Sequence, residues 1–431
     1  VLSWPTISPD GLSGAIFAIE GIADAAVLLH GPTGCKFYHG AISERSFPRG
    51  ASFDPLRYGE EFYFGQPRVP ASYLDGQDYV FGAAEKIERL LPQIAARGHR
   101  LLAIVNTPGA ALIGDDLERA IAAADVPTPC LVLENSGFSS RFSAGFQDAL
   151  IQAITRLDPP PLPPVARRVN LLGLSLYQRH WQGSLAELRR LLACCGISVG
   201  ATLSAGMSVA ELAALAAAQL NVLVHPEYGE DLAEWLQKRY GTPWLRSEQG
   251  APIGFDASEA WLRAICAALD VDPAPGLAAL REARRLSYQA ISRFNSLTGL
   301  PRGAGFVVQA EGSLAYPLTR WLYEYLGMVP LAVQFTEPES NFARPLQDYL
   351  ADIGCDAAWN AVLDREQLPE VVLGSQELIA RIRSLGRPVA GVEIGLPAGL
   401  YIDVLPKKLL GAEGALFIIE QVLNGLYRLE R

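Results

Sequence analysis

The sequence predicts an α/β fold of three doubly wound, Rossmann-like domains with parallel sheets. Three observations carry this. Short apolar, β-branched runs alternate with amphipathic segments of helical period along the whole chain. The runs are continuous rather than alternating in polarity, as in strands buried on both faces. And 431 residues, half of them hydrophobic, are enough for two to four domains with cores of their own.

The elements follow in order. Ala25–Leu29 is an apolar run ending in a glycine-flanked turn. Arg100–Asn106 reads as a strand closed by Thr107, Pro108 and Gly109, and a helix over 115–124 carries its acids in the first turn, where the helix dipole favours them. The run Asp158–Pro164, with five prolines, cannot join a sheet and marks a boundary. Val169–Leu176 is the next strand. A helix follows over 185–195, opening on the capping-box pattern Ser184 to Glu187; Ser208 to Glu211 repeats the device. Leu220–Val224, Gly305–Gln309, Pro330–Gln334, Glu370–Leu373 and Val389–Val392 complete the strands. Gly299, Pro301 and Gly303 interrupt a long helix and mark a softer boundary. The expected domains are 1–165, 166–298 and 299–431.

Composition narrows the function. The net charge is −10 and no Lys/Arg-rich tract occurs, which argues against nucleic acid or an anionic lipid surface as partner. No apolar run approaches the ~18–20 residues of a membrane helix. The first residues do not form a basic region followed by an apolar one, so no secretory leader is expected. Six cysteines do not make a disulfide framework, and a reduced, cytoplasmic inventory is expected. Cys194 and Cys195 diverge by about 100° on a helix and are read, with Cys130, Cys266 and Cys355, as small buried apolar residues. The chain has no G-x-x-x-x-G-K-[ST] phosphate loop, no G-x-G-x-x-G after a strand, no C-x-x-C and no H-E-x-x-H. Ser175 lacks the second glycine of a nucleophile elbow.

One segment points to chemistry. His30-Gly31-Pro32-Thr33-Gly34-Cys35 places a cysteine just beyond the carboxyl end of a strand, where α/β sheets bind ligands. Gly31 and Gly34 let backbone approach a bulky group closely, and a thiolate there suits an iron–sulfur cluster. An ordinary buried cysteine beside a tight turn fits the same local features.

This segment resembles the H-G-P/S-x-G-C motif of nitrogenase component 1 subunits and their relatives. The resemblance continues through Tyr73–Gly82, Leu112-Ile113-Gly114-Asp115-Asp116, Leu220–Gly229, Leu232–Pro243 and Leu410–Leu416, and so touches all three expected domains. It implies a subunit of an ATP-dependent iron–sulfur reductase that relays electrons to a substrate lying between the domains. Family substrates include dinitrogen, tetrapyrrole double bonds and the carbon–sulfur bonds of methylthio-alkanes. Full cluster-binding subunits offer three cysteines; matched by spacing, this chain has Asp10, Cys35 and Pro108. That pattern is similar to the second subunits of the cofactor-assembly scaffold and of the dark-operative protochlorophyllide reductase. By resemblance, Cys35 is the fourth ligand of an interfacial [4Fe-4S] cluster whose other ligands come from a homologous three-cysteine α-type subunit. The resemblance also implies an (αβ)2 heterotetramer and a separate P-loop iron–sulfur reductase, which alone binds ATP. Asp10 is a second candidate ligand, although Pro9-Asp10-Gly11 also fits a plain turn. His225 matches the family's cofactor-binding cysteine and is a candidate cavity-lining residue, or a structural histidine at a strand end. No histidine follows it, which moves the expectation away from a nitrogenase-type cofactor. An assembly scaffold and a cluster-free structural subunit are the alternative roles.

Overall fold

The computed structural model describes residues 9–35, 69–134, 140–337, 339–363, 367–386, 388–396, 398, 400 and 403–429. They form three sheets. The first contains β1 (Ala25–His30), β2 (Leu101–Asn106) and β3 (Cys130–Glu134) in the order β1-β2-β3. The second contains β4 (Val165–Leu172), β5 (Ser198–Thr202), β6 (Ala218–Leu223) and the short β7 (Trp244–Leu245), ordered β5-β4-β6-β7. The third contains β8 (Gly305–Ala310), β9 (Val329–Phe335), β10 (Val371–Gly374) and β11 (Ala390–Glu393), ordered β11-β10-β8-β9. Every strand pairing is parallel, with Leu29 opposite Val105 and His30 opposite Asn106 in the first sheet. β1, β2, β10 and β11 are buried along their whole length, which is why their sequences read as unbroken apolar runs.

The three sheets share one continuous core, running from Ile16 and Phe146 through Leu188 and Trp261 to Trp321 and Ile418. Two helices create the tightest junction. Gly11–Glu20 is buried at every position and crosses Phe142–Leu157 at two glycines. A Cβ on Gly145 would lie 2.0 Å from the carbonyl oxygen of Gly11, and one on Gly14 would lie 2.1 Å from that of Phe142. Only glycine permits this approach of two backbones. At the other end of the chain, helix Gly411–Leu429 packs on β11 and on the helices Ala274–Thr298 and Gly254–Ala268.

The predicted strands appear within a few residues of their expected limits, but several local readings are corrected. Ser208 and Glu211 do form a reciprocal capping box. Ser184 and Glu187 do not, because their helix begins earlier, at Trp181. Both are buried and serve the C-terminal segment instead. Ser184 Oγ accepts from Leu409 N at 3.0 Å, and Glu187 Oε1 accepts from Ala412 N at 3.1 Å and Glu413 N at 3.3 Å. The helix expected from Asp115 starts at Leu117 with Asp116 as its cap, which frees Asp115 to accept from Ala83 N at 2.9 Å. Cys194 is exposed rather than buried, whereas its neighbour Cys195 faces the core. The proline run has no regular structure and leads into β4.

Candidate metal centre and the three-way junction

Parallel pairing fixes where the chemistry can lie, because all strand ends of one polarity open on the same side of each sheet. At the end of β1 the chain turns through Gly31 into Thr33–Cys35. His30 anchors the turn from below. Its imidazole is fully buried, with Nδ1 3.0 Å from Ser72 Oγ and Nε2 3.6 Å from Asp115 Oδ2, and burial holds its pKa below the ordinary value. Ser72 Oγ also accepts from Gly31 N at 3.0 Å. The conspicuous histidine of the motif is therefore a strut that fixes the turn.

Cys35 is half-buried. Burial raises its thiol pKa, the neighbouring Thr107 hydroxyl opposes that rise, and the nearby Asp10 carboxylate adds to it. Thr107 caps the short helix Pro108–Ala111, whose first residue is the third position matched by spacing. Thus Asp10, Cys35 and Thr107–Pro108, separated by up to 98 positions in sequence, meet in one place. Asp10 caps helix Gly11–Glu20, its Oδ1 accepting from both Ser13 N and Ser13 Oγ at 2.9 Å. The two glycines differ in role. A Cβ on Gly31 would lie 2.7 Å from Thr107, so this glycine permits the packing of Thr107; a Cβ on Gly34 would meet nothing within 4 Å among the described residues. Beside the turn, Leu74 N donates to Gly31 O at 3.1 Å, and the same loop leads to Tyr79, Val80 and Phe81. Phe81 is 85% exposed and Leu112 is 87% exposed.

A second polar cluster lies where the three sheets' connections converge. His225 follows β6 but is only 1% exposed. Its Nδ1 is 3.4 Å from Ser313 Oγ, and burial drives its pKa down to about 3, so it stays neutral. Its neighbours Pro226 and Glu227, not His225, line a cavity of about 590 Å³ shared by all three units. Glu227 Oε1 accepts from Ser313 N at 2.6 Å and from Ser340 Oγ at 3.3 Å. Glu337 accepts from Ser143 N at 3.1 Å and from Ser143 Oγ at 2.5 Å. Behind them Glu311 accepts from Tyr228 Oη at 2.9 Å, and burial, with the charges of Glu227 and Glu337, pushes its pKa up to about 7. Phe17, Phe142, Phe146, Tyr177 and Tyr228 fill the space beside it, with neighbouring ring centroids 4.3–6.2 Å apart.

Glu227, Glu311 and Glu337 were not singled out from the sequence. Each stands within four residues of a strand's carboxyl end, after β6, β8 and β9, and an acid in that place was the available signal. The sequence also contains one G-x-S-x-G pattern, Gly196 to Gly200, but Ser198 begins β5 and bonds Arg167 O at 3.3 Å. It does not sit on the strand-to-helix turn that a nucleophile requires.

Three parallel α/β units that meet at one junction define a class by fold: a three-unit protein built on doubly wound sheets. Residues 11–427 match the family model for nitrogenase component 1 type oxidoreductases, and the chain belongs to that family. It is similar to the B subunit of light-independent protochlorophyllide reductase from Synechococcus sp. strain WH7803, 26% identical over 414 residues, covering 90% of this chain and 75% of that protein. The corresponding protein of Methylobacterium sp. strain 4-46 is 28% identical over 377 residues, covering 83% and 71%. Among solved structures, "Nitrogenase Cp1 at pH 6.5" has a TM-score of 0.76 at 16% identity, covering 99% of this chain and 94% of that one. This likeness concerns the fold. Among the described residues no helix is long and apolar enough to cross a membrane.

Proposed function

We propose that this chain is the single-ligand subunit of an ATP-dependent iron–sulfur reductase acting on a tetrapyrrole. Cys35 would be its ligand to a [4Fe-4S] cluster shared with a homologous three-cysteine subunit in an (αβ)2 assembly. A separate P-loop reductase would bind the ATP. The observation that carries this reading is that Asp10 and Thr107, the residue before Pro108, both act on the single thiol of Cys35. The protochlorophyllide reductases among its relatives favour a tetrapyrrole over the family's other substrates.

The donor set fits one corner of a shared cluster. A thiolate is the usual iron ligand of such groups, and the open side of Gly34 leaves room beside it. Among the described residues no three His, Cys, Asp or Glu side chains gather to hold a metal ion within this chain. The cluster, when bound, relays single electrons. The chain's own residues do the rest: His30, Ser72 and Asp115 fix the turn, Thr107 stands near the sulfur and tempers its proton affinity, and the exposed Phe81 and Leu112 offer apolar surface to a partner. Gly31, by accommodating Thr107, keeps that hydroxyl at the thiol. The aromatic packing beside Glu311 leaves His225 without access to a ligand, so we assign it a structural role.

The test is the co-purified complex carrying Cys35→Ala. Iron per complex falls and reduction of protochlorophyllide with the reductase and ATP is lost, while the chain's thermal midpoint stays close to wild type. Unchanged iron content overturns the ligand role. Cluster transfer to an apo-enzyme without turnover would identify a scaffold instead.

A further inference from the structure

A second cavity, of about 340 Å³, lies where the chain leaves the carboxyl end of β4 and faces residues 396, 398 and 403–407, which come after β11. β4 stands between β5 and β6, at the point where the strand order of the middle sheet reverses. Ligands of open α/β sheets bind outside the carboxyl ends at such a point. The polar wall consists of Gln178, Arg179, His180, Gln182, Asp403 and Lys407; Trp181, Leu396 and Leu405 are among its apolar members.

Among the described residues, two buried donors on this wall have no acceptor. Gln178 is 7% exposed, and its Oε1 accepts from Ser175 N at 2.5 Å, but its Nε2 is buried and unpartnered. Arg179 reaches Glu393, at 3.2 Å, and Asp403 through one terminal nitrogen alone, and its Nε is buried without a partner. Buried donors are nearly always satisfied, so an exception beside a cavity indicates an acceptor that arrives with a ligand. His180, on the same wall, holds a left-handed backbone at φ 56°, a strained conformation for a non-glycine residue and one that clusters at ligand sites. Lys407, 2.5 Å from Asp403, adds a second cation at the rim.

We propose that this cavity binds a compact organic carboxylate, whose oxygens accept from Gln178 and Arg179 beside Lys407 and whose hydrocarbon body lies against Trp181 and Leu405. Glu393 and Asp403 already balance the charges of Arg179 and Lys407, so an anionic acceptor is favoured over a neutral carbonyl through the charge-assisted bond that the unpartnered guanidinium Nε of Arg179 offers it. The volume stands at the low end of the roughly 300–1,000 Å³ of ligand pockets. A tetrapyrrole macrocycle does not fit, so this site is distinct from that of the reaction proposed above and does not depend on it.

Saturation-transfer NMR on the purified full chain tests the proposal, with benzoate and succinate as probes and benzyl alcohol as the uncharged control. At least one carboxylate binds the wild type, benzyl alcohol binds at least about tenfold more weakly, and Gln178→Leu and Lys407→Ala each weaken the carboxylate at least about fivefold. The proposal is overturned if neither carboxylate gives a signal with the wild type, or if the alcohol binds as well. Equal carboxylate affinity in the folded variants overturns it too. Should Gln178→Leu not fold, Lys407→Ala, at a partly exposed position, decides alone.

Discussion

Glu311→Gln probes the junction where the three units meet. Glu311 is buried, accepts from Tyr228, and faces the carboxylates of Glu227 and Glu337. Its pKa is held at about 7, against 4.5 for an ordinary glutamate. Because the folded value lies above the unfolded one, the folded chain binds more protons across that window. The stabilisation is complete below about pH 4.5 and is lost as the pH rises through about 7. At 1.36 kcal/mol per pH unit of that gap, the loss amounts to about 3 kcal/mol. Glutamine keeps an acceptor for Tyr228 and cannot ionise. Urea unfolding of both chains between pH 5 and 8.5 gives two stability curves whose difference cancels the groups that do not interact with Glu311, including the neutral His225. That difference should grow in favour of the variant by about 3 kcal/mol and level off above pH 7. A difference that is flat with pH, or a variant that grows less stable as the pH rises, refutes the account of a carboxyl kept protonated by burial and by its two acidic neighbours.

Two other perturbations test the packing. Gly145→Ala, whose new methyl would sit on the carbonyl of Gly11, should cost about 3 kcal/mol or prevent folding, whereas Gly34→Ala, facing open space, should change stability by no more than about 0.5 kcal/mol; thermal melts of both compare them directly. Glu187→Ala leaves the amides of Ala412 and Glu413 and the guanidinium of Arg190 without their buried acceptor, and should cost about 3 kcal/mol. Hydrogen exchange should then show early opening of the helix Gly411–Leu429, and unchanged protection there would refute the role given to Glu187.

Much of this molecule is written locally. The strands are legible because parallel strands buried on both faces leave continuous apolar runs, and the capping box at Ser208 because it closes within four residues. The thiol at Cys35 stands out for the same reason: strand, glycine turn and cysteine are neighbours in the chain. Ser184 and Glu187 show where local reading stops. Their spacing is that of a capping box, yet their partners are amides more than 220 positions away, and no short pattern distinguishes the two uses. His30 presents the same difficulty, since a histidine in a ligand motif and a histidine bonded to Ser72 look alike until the fold brings position 72 alongside.

The sequence by itself therefore determined the class of fold, the order of strands and helices, and the one sulfur at the end of the first strand. Only the tertiary structure decided that Asp10 and Thr107 stand near that sulfur, that His225 is sealed beneath a cavity lined by its neighbours, and that Glu227, Glu311 and Glu337 gather between three units. The physical reason is range. Backbone pairing and side-chain periodicity are set by residues a few positions apart, whereas burial, and the shift in proton affinity that it causes, depends on whatever the rest of the chain places alongside.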